Sequence, residues 1–221
     1  MIITIDGPAG SGKSTAAKGL AQRLGFAFLD TGAMYRAVAW HCLQQGIDLQ
    51  EKERVAEEAR LLDLQMQGEK LSLNGRLLTH EIRTLEVSQN TSIVAANPLV
   101  RNVMVELQRK IAEGKNIVTE GRDQGTIVFP QAECKFYLQA DPQQRAIRRQ
   151  QELQEQGSEV DLGDILRQQE ERDQRDAQRE VAPLKCAADA IQVDTSGLTR
   201  DEVLALLQSY VDKRRGNSSP A

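Results

Sequence analysis

A glycine-rich segment near the N-terminus has the residue types and spacing that bind a polyphosphate. The run Gly7-Pro8-Ala9-Gly10-Ser11-Gly12-Lys13-Ser14 fits the pattern G-x-x-x-x-G-K-S/T, and Thr15 follows it. Glycines let the backbone wrap closely around phosphate groups, with successive amide N–H groups pointing inward. Lys13 reaches the terminal phosphates in such loops, and the Ser14 hydroxyl ligates Mg²⁺. The sequence therefore predicts a nucleoside triphosphate site that includes Mg²⁺.

This loop needs a strand before it and a helix after it, and the sequence predicts both. Ile2–Ile5 is a short apolar run typical of a buried strand, and Lys13–Leu24 has a helical pattern that ends at Gly25. The N-terminus of that helix adds its positive dipole end to the loop.

Short apolar runs alternate with longer helical patterns along much of the chain. Further strands are predicted at Phe26–Leu29, Asn116–Thr119, Lys135–Leu138 and Ala190–Val193, and further helices at Gly32–Gln45, Pro142–Gln156 and Thr199–Lys213. Such alternation is typical of a parallel sheet with helices on both faces. The predicted fold is α/β, a doubly wound parallel sheet of five strands.

One segment, at about 61–82, departs from this alternation. Leu62–Gln67 alternates with a period of two, Leu71–Leu73 continues the pattern after Gly68, and Asn74-Gly75 is typical of a two-residue hairpin. We predict a small antiparallel sheet inserted at the rim of the main sheet. A long loop is the alternative.

Two arginines follow the ends of predicted strands. Asp30–Arg36 begins where the second strand ends, and Gly121-Arg122-Asp123 follows the third strand. In a doubly wound sheet the ligand crevice lies at the carboxyl ends of the strands. Arg36 and Arg122 therefore indicate a site for a second anionic group opposite the triphosphate, unless both are ordinary surface arginines.

Two further groups of charged residues lie in the C-terminal half. They are Arg172, Arg175, Asp176 and Arg179, at the spacing of one helix face, and Arg145, Arg148 and Arg149 near the start of the preceding helix. Three arginines near a helix N-terminus oppose the helix dipole. The groups are either solvated ion pairs or a mobile flap that brings arginines over transferring phosphates.

The composition excludes several function classes. A net charge of −4 argues against a general nucleic-acid binder, because phosphate contacts need a basic surface. No apolar run approaches about 18 residues, which predicts no membrane span, and the N-terminus lacks the pattern of a signal peptide. Cys42, Cys134 and Cys186 form no C-x-x-C pair and are typical of reduced thiols in a cytoplasmic protein. His41 and His80 have no ligand at metal-site spacing.

Other classes of phosphate-loop protein fit poorly. The base-reading N-K-x-D of a regulatory GTPase is absent. Asp194-Thr195-Ser196-Gly197 matches D-x-x-G, but it lies at the last predicted strand, so we interpret the match as accidental. Ile117–Glu120 is a poor version of the strand that ends in Asp-Glu in motor and transporter ATPases. A nucleotide-binding switch without phosphoryl transfer stays open as an alternative.

The motifs in this order resemble those of the bacterial-type cytidylate kinases over nearly the whole chain. The matching segments are Ile3–Pro8 with the phosphate loop, Leu29–Arg36, Gly121–Thr126, Arg172–Asp176 and Val181–Leu184. The resemblance implies a single P-loop kinase domain, 1–221, that transfers the γ-phosphoryl group of Mg-ATP to CMP or dCMP. It also implies an enlarged monophosphate-binding region at about 31–100 and a short helical lid at about 143–180.

The resemblance also implies a role for individual residues. The cytosine ring is contacted by the positions that match Ser92, Arg101 and Asp123, and the monophosphate by those that match Arg36, Arg122 and Arg179. Asp176, with Arg172 beside it, matches the ribose contact, Tyr35 lies against the nucleotide, and Thr31 stands where the family commonly has a serine. The lid that closes over ATP is matched by Arg145, Arg148 and Arg149. Lys13, Arg122, Arg179 and Arg148 are expected to stabilise the transferring charge. A monomer that binds nucleotides but no nucleic acid polymer and no membrane is expected, and another acceptor, such as UMP or AMP, is the nearest alternative.

Overall fold

The computed structural model of the chain describes residues 1–67, 70–155, 157 and 159–216. In chain order the elements are β1 (Ile2–Asp6), α1 (Lys13–Leu24), β2 (Ala27–Asp30), α2 (Thr31–Gln44), α3 (Lys52–Leu61), β3 (Leu64–Gln67), β4 (Lys70–Leu73), β5 (Arg76–Leu78), α4 (Leu85–Ala96), α5 (Pro98–Ala112), β6 (Ile117–Gly121), β7 (Cys134–Gln139), α6 (Pro142–Glu155), α7 (Leu162–Gln178), β8 (Ile191–Asp194) and α8 (Arg200–Gly216).

The chain divides into two compact units. The phosphate-loop unit comprises Met1–Phe26 and Ile117–Ala221, and the hairpin unit comprises Ala27–Asn116. The prediction that 1–221 is a single domain with a monophosphate-binding region at about 31–100 stays a prediction.

The main sheet is parallel and has the strand order β2–β6–β1–β7–β8. This confirms the predicted α/β fold with five parallel strands. In the phosphate-loop unit, Ile3 of β1 lies beside Val118 of β6 and Cys134 of β7, and Asp6 lies beside Gly121. Because adjacent parallel strands end at the same edge, the segments that follow Asp6 and Gly121 are brought together there.

The central strands of this unit are buried on both faces. Every residue of β6 is buried, and so are Ile3, Thr4 and Ile5 of β1. Strands covered on both sides favour continuous apolar runs over alternation. This explains why Ile2–Ile5 and the other strands of the main sheet were predicted from short apolar runs, with ends that differ from the observed ones by one or two residues.

The hairpin unit contains the predicted antiparallel sheet, in the order β3–β4–β5. Asn74 and Gly75 have φ angles of 49° and 79°, as the two central residues of a type I′ turn require. The Asn74 side chain also accepts a hydrogen bond from the Asp63 N–H at 2.9 Å. The predicted hairpin is therefore confirmed, whereas Gly68, also part of the prediction, lies outside the described residues.

Three helices of this unit, α3, α4 and α5, were not predicted from the sequence. The signal for α5 was present: Asn97 caps the helix by accepting from the Leu99 N–H at 3.0 Å, and Pro98 stands at the first helical position. Thr84 caps α4 in the same way through the Val87 N–H. Within the described part of the chain, no helix has both the length and the apolar character needed to cross a membrane.

The alternation along β5 gives a matched test of the small sheet. Leu78 is 4 % exposed and its neighbour Leu77 is 46 % exposed. We expect Leu78→Ala to lower the free energy of unfolding by about 2–5 kcal/mol, because it leaves a cavity beneath the sheet. Leu77→Ala should cost under about 1 kcal/mol. Urea unfolding of both variants checks this; equal losses would mean that the face of β5 is misassigned.

Candidate functional site

The phosphate loop of this structure has the backbone of an anion-binding turn. β1 ends at Asp6, α1 begins at Lys13, and Gly12 stands at the N-cap with a φ of 82° and no side-chain hydrogen bond to the helix. A Cβ at Gly7 would lie 2.1 Å from the Leu138 carbonyl oxygen, so only glycine fits there. The first-turn N–H groups of α1 therefore keep no side-chain cap and face a site suited to an anion.

Lys13 is buried at the base of this loop. The residue is 7 % exposed. Its Nζ donates to the Pro8 carbonyl oxygen at 3.2 Å and lies 4.0 Å from Glu120 Oε2. Burial, together with the charges of Arg122 and Arg172, lowers the pKa of the Lys13 ammonium to about 7, although Glu120 and Asp176 oppose the shift. The ammonium is thus held where its charge is costly until an anion arrives.

A second group of charges surrounds Asp176 of α7. Arg122 Nε donates to Asp176 Oδ2 at 2.8 Å, and Arg179 Nη1 lies 3.8 Å from Asp176 Oδ1. Burial raises the pKa of Asp176, but Arg122, Arg172 and Arg179 together lower it below its ordinary value. The structure therefore brings together Lys13, Arg122, Arg172, Asp176 and Arg179, in an arrangement whose positive charge exceeds its negative charge.

The predicted helix face from Arg172 to Arg179 is only partly correct. Arg175 is exposed and donates to the Glu171 carbonyl oxygen at 3.2 Å, away from Asp176. Arg179 lies just beyond α7, as its C-cap residue with extended backbone. The Arg179 N–H still donates to the Arg175 carbonyl oxygen at 3.1 Å, so Arg179 keeps its helical position three residues after Asp176.

The three predicted lid arginines of α6 have different surroundings. Arg149 lies at the surface and pairs with Glu152 at 3.0 Å. Arg148 donates to the hydroxyl of Thr195 at 3.1 Å, and its Nη1 lies 3.9 Å from where a Cβ on Gly12 would stand. Arg145 is buried beneath the loop. The structure thus places Arg148 at the outer side of the loop, beside the first turn of α1.

Thr195 links the end of β8 to the phosphate loop. Its hydroxyl lies 3.2 Å from the Ser11 carbonyl oxygen and 3.2 Å from the Gln139 carbonyl oxygen. Thr195 is part of the D-x-x-G pattern that we interpret as an accidental match. As a GTPase signature it has no role, but its threonine is a structural contact of the loop.

The remaining sequence-predicted residues of the hairpin unit lie on the helices α2, α4 and α5. Arg101 is buried; its guanidinium lies 5.6 Å from the centre of the Tyr35 ring and donates to the Ala95 carbonyl at 3.2 Å. Ser92 precedes Ala95 by three residues and so lies on the same face of α4. Arg36 pairs with Asp30 at 3.2 Å.

The start of α2 carries the other predicted residue of that unit. Thr31 is buried and is the first residue of the helix, and Asp30 caps it by accepting from the Ala33 N–H at 2.7 Å. In the phosphate-loop unit Ser14 and Thr15 are exposed at the start of α1, and Asp123 is buried after β6.

Glu120 and Asp6 are site residues that sequence reasoning missed. Glu120 was discounted as part of a poor ATPase strand, yet it is the carboxylate beside Lys13. Asp6 accepts from the N–H groups of Gln124 at 2.9 Å and Gly125 at 2.7 Å, and so holds the turn that follows Arg122. Burial raises the pKa of Asp6 to about 6, against the lowering effect of those two N–H groups. Its position at a strand end beside the loop was the available signal.

The site suits Mg²⁺ only together with a nucleotide. No cluster of three or more His, Cys, Asp or Glu side chains placed to hold a metal occurs in the described residues. Ser14 offers one exposed hydroxyl at the start of α1. Mg²⁺ commonly takes most of its ligands from substrate phosphates and water, with one or two from the protein. These residues therefore fit a metal that arrives bound to phosphate.

Comparison with known proteins gives consistent matches in sequence and in fold. A family model described as cytidylate kinase matches residues 3–213. The cytidylate kinase of Caldanaerobacter subterraneus subsp. tengcongensis is 46 % identical over 211 residues, which cover 96 % of this chain and 94 % of that protein. That of Rhodopirellula baltica is 47 % identical over 223 residues, covering 99 % and 97 %.

A solved structure of shikimate kinase from Bacteroides thetaiotaomicron is similar in fold. It matches with a TM-score of 0.50 at 13 % identity, covering 96 % of this chain and 98 % of the other. At this identity the likeness concerns the architecture alone.

The environment of Lys13 predicts that a triphosphate binds together with a proton. Because the pKa of Lys13 is lowered to about 7, much of this side chain is a neutral amine at pH 8, and a neighbouring phosphate favours its protonation. ATP binding at pH 8 should take up about one proton, and this uptake should vanish below about pH 6. Calorimetry in Tris and in HEPES measures it, because the two buffers differ in ionisation enthalpy. Lys13→Gln is the control; equal uptake by this variant would contradict the assignment.

Proposed function

The chain belongs to the cytidylate kinase family, and we propose from this premise that it transfers the γ-phosphoryl group of ATP to CMP or dCMP, with release of ADP and CDP or dCDP. The match of the family model across residues 3–213 is the observation that carries this conclusion. The cations around the phosphate loop are its physical counterpart, because two anionic nucleotides must approach each other for the reaction to occur.

The reaction we infer is a direct in-line transfer. An oxygen of the 5′-phosphate of the acceptor attacks the γ-phosphorus, the bond from that phosphorus to the β,γ-bridging oxygen breaks, and ADP leaves. The acceptor phosphate is already an anion, so no general base is needed. The contribution of the protein is therefore position and positive charge around a loose transition state.

Within the phosphate-loop unit we assign the triphosphate to 7–15. The uncapped start of α1 and the buried ammonium of Lys13 support this assignment, because both favour an anion. Lys13, Arg122, Arg179 and Arg148 are proposed to stabilise the charge that develops on the transferring group. Mg²⁺, bound by the phosphates and by Ser14, would neutralise further charge.

We assign to acceptor binding the residues that the family resemblance implies. We propose that the phosphate of the acceptor binds Arg36, Arg122 and Arg179. Its ribose is proposed to bind Asp176 with Arg172. Its cytosine is proposed to bind Ser92, Arg101 and Asp123, with Thr31 and Tyr35 as further contacts. The packing of Arg101 against Tyr35 supports its part in this assignment, because it fixes a guanidinium whose donors can then discriminate base edges.

We further propose that the enzyme acts as a monomer in the cytoplasm. The free thiols of Cys42, Cys134 and Cys186 support a reducing compartment. Sedimentation of the purified protein at several concentrations checks the monomer.

A panel of acceptors tests the proposed substrate. The purified chain is supplied with Mg-ATP and CMP, dCMP, UMP, AMP or no acceptor, and ADP formation is followed. Turnover with CMP and dCMP well above the others is expected. Faster turnover with another acceptor would leave the assignment as a kinase standing, but it would reject Ser92, Arg101 and Asp123 as cytosine contacts. ATP binding without turnover on any acceptor would favour a nucleotide-binding switch.

Loss of the Lys13 ammonium should remove most of the turnover. We expect Lys13→Ala to lower kcat at least about 100-fold, because a buried charge aimed at the phosphates is lost. Lys18→Ala, in the same helix, is the control and should keep near-normal kcat. Steady-state kinetics and circular dichroism together separate loss of chemistry from loss of folding; near-normal turnover of Lys13→Ala would reject the assignment of the loop.

Arg179 and Arg175 provide a matched pair for the acceptor site. Arg179→Ala should raise the KM for CMP about 10-fold to 100-fold, the range for a lost charged hydrogen bond, with a smaller effect on the KM for ATP. Arg175→Ala should change neither, because that side chain points outward from α7. Equal effects of Arg179→Ala on both substrates would count against its placement on the acceptor.

A further inference from the structure

Both backbone groups of a single residue of the phosphate loop, Ala9, are held by side chains of the lid helices. The Ala9 N–H donates to Asp173 Oδ1 of α7 at 3.0 Å, and the Ala9 carbonyl oxygen accepts from Arg145 Nη1 of α6 at 2.8 Å. Arg145 Nη1 also donates to Asp173 Oδ2. The ion pair of Arg145 and Asp173 thus closes a ring around one residue of the loop.

The next residue of the loop packs against the same two helices. Gly10 has a φ of 74°, and a Cβ there would lie 2.8 Å from Gln169 Nε2 of α7 and 3.1 Å from Arg145 Cβ of α6. Gln169 Nε2 in turn donates to the Arg145 carbonyl oxygen at 3.3 Å. The positive φ favours glycine, and any side chain here would displace Gln169 or Arg145, so Gly10 packs directly against α6 and α7.

The partners of Arg145 occupy its guanidinium inside the protein. Arg145 is 5 % exposed, and besides Ala9 and Asp173 its Nε donates to the Ala140 carbonyl oxygen at 3.2 Å. To reach a phosphate, a guanidinium so surrounded would have to give up its ion pair with Asp173, whose side chain is 18 % exposed, and its hydrogen bond to Ala9. Arg148, by contrast, already lies beside Gly12.

We propose that Asp173 is a positioning residue that, through Arg145, holds Ala9 and Gly10 in the shape that receives the triphosphate. We call the pair of Asp173 and Arg145 the latch. In this arrangement Arg145 does not contact ATP. The proposal rests on the proposed function, because it assigns ATP to the loop. A loop fixed before the ligand arrives loses less conformational freedom on binding, so the latch contributes to ATP affinity without touching ATP.

The test replaces the carboxylate of Asp173 and measures binding of Mg-ATP alone. In Asp173→Asn the amide oxygen still accepts from the Ala9 N–H, but the amide NH₂ faces the donors of Arg145. We expect the Kd for Mg-ATP to rise about 10-fold to 100-fold, the range for a charged hydrogen bond, and the Kd for CMP to change far less. Asp164→Asn, which removes an exposed ion pair with Arg167 on the same helix, is the matched control and should leave both values unchanged.

A second variant keeps the test decisive if Asp173→Asn folds poorly. Arg145→Lys keeps a positive charge but lacks the fork that contacts Ala9 and Asp173 together. The latch predicts a similar loss of ATP affinity, faster hydrogen exchange in peptides covering residues 7–14, and no additional loss when the two substitutions are combined.

The opposite result would overturn the latch and leave the proposed function standing. If Arg145 binds ATP, Asp173→Asn frees it, and Mg-ATP affinity stays the same or improves; unchanged exchange at 7–14 in Arg145→Lys would likewise reject the latch. A wild-type protein that does not bind Mg-ATP would instead reject the assignment of the loop itself.

Discussion

Positive charge concentrated at the carboxyl edge of the parallel sheet is the constraint on which the site depends. Lys13 lies within the field of Arg122 and Arg172, and Glu120, Asp173 and Asp176 offset part of the repulsion. Burial, followed by the charges of Arg122 and Arg172, lowers the pKa of Lys13. An anionic ligand relieves the repulsion, and this relief contributes to the affinity of the protein for phosphate.

The sheet register explains why these charges meet. Asp6 and Gly121 are neighbours on β1 and β6, so the loop that carries Lys13 and the turn that carries Arg122 leave the sheet at the same level. Asp6 then ties that turn down through two N–H groups. The strands supply the position, and the buried carboxylate supplies the orientation of the segment after Arg122.

Local signals made much of this predictable. The phosphate loop and the Asn74-Gly75 hairpin each depend on residues adjacent in sequence, and the alternation of apolar runs with helical patterns gave the five-stranded α/β fold. The roles of Asp6 and Asp173 depend on contacts across the chain, since the Ala9–Asp173 hydrogen bond joins residues 164 positions apart. Helical spacing correctly predicted that Arg179 lies near Asp176, but it also grouped Arg175 with them, and the Arg175 side chain is exposed. Ser92 had no signal except the family resemblance.

The ring around Ala9 has a consequence for how this sequence can drift over evolutionary time. At this position the hydrogen bond from the peptide N–H excludes proline, and burial of Ala9 disfavours large side chains. Asp173 and Arg145 share the constraint. Loss of Asp173 would leave the buried guanidinium of Arg145 without its carboxylate, so substitutions at the two positions should appear together in descendant lineages.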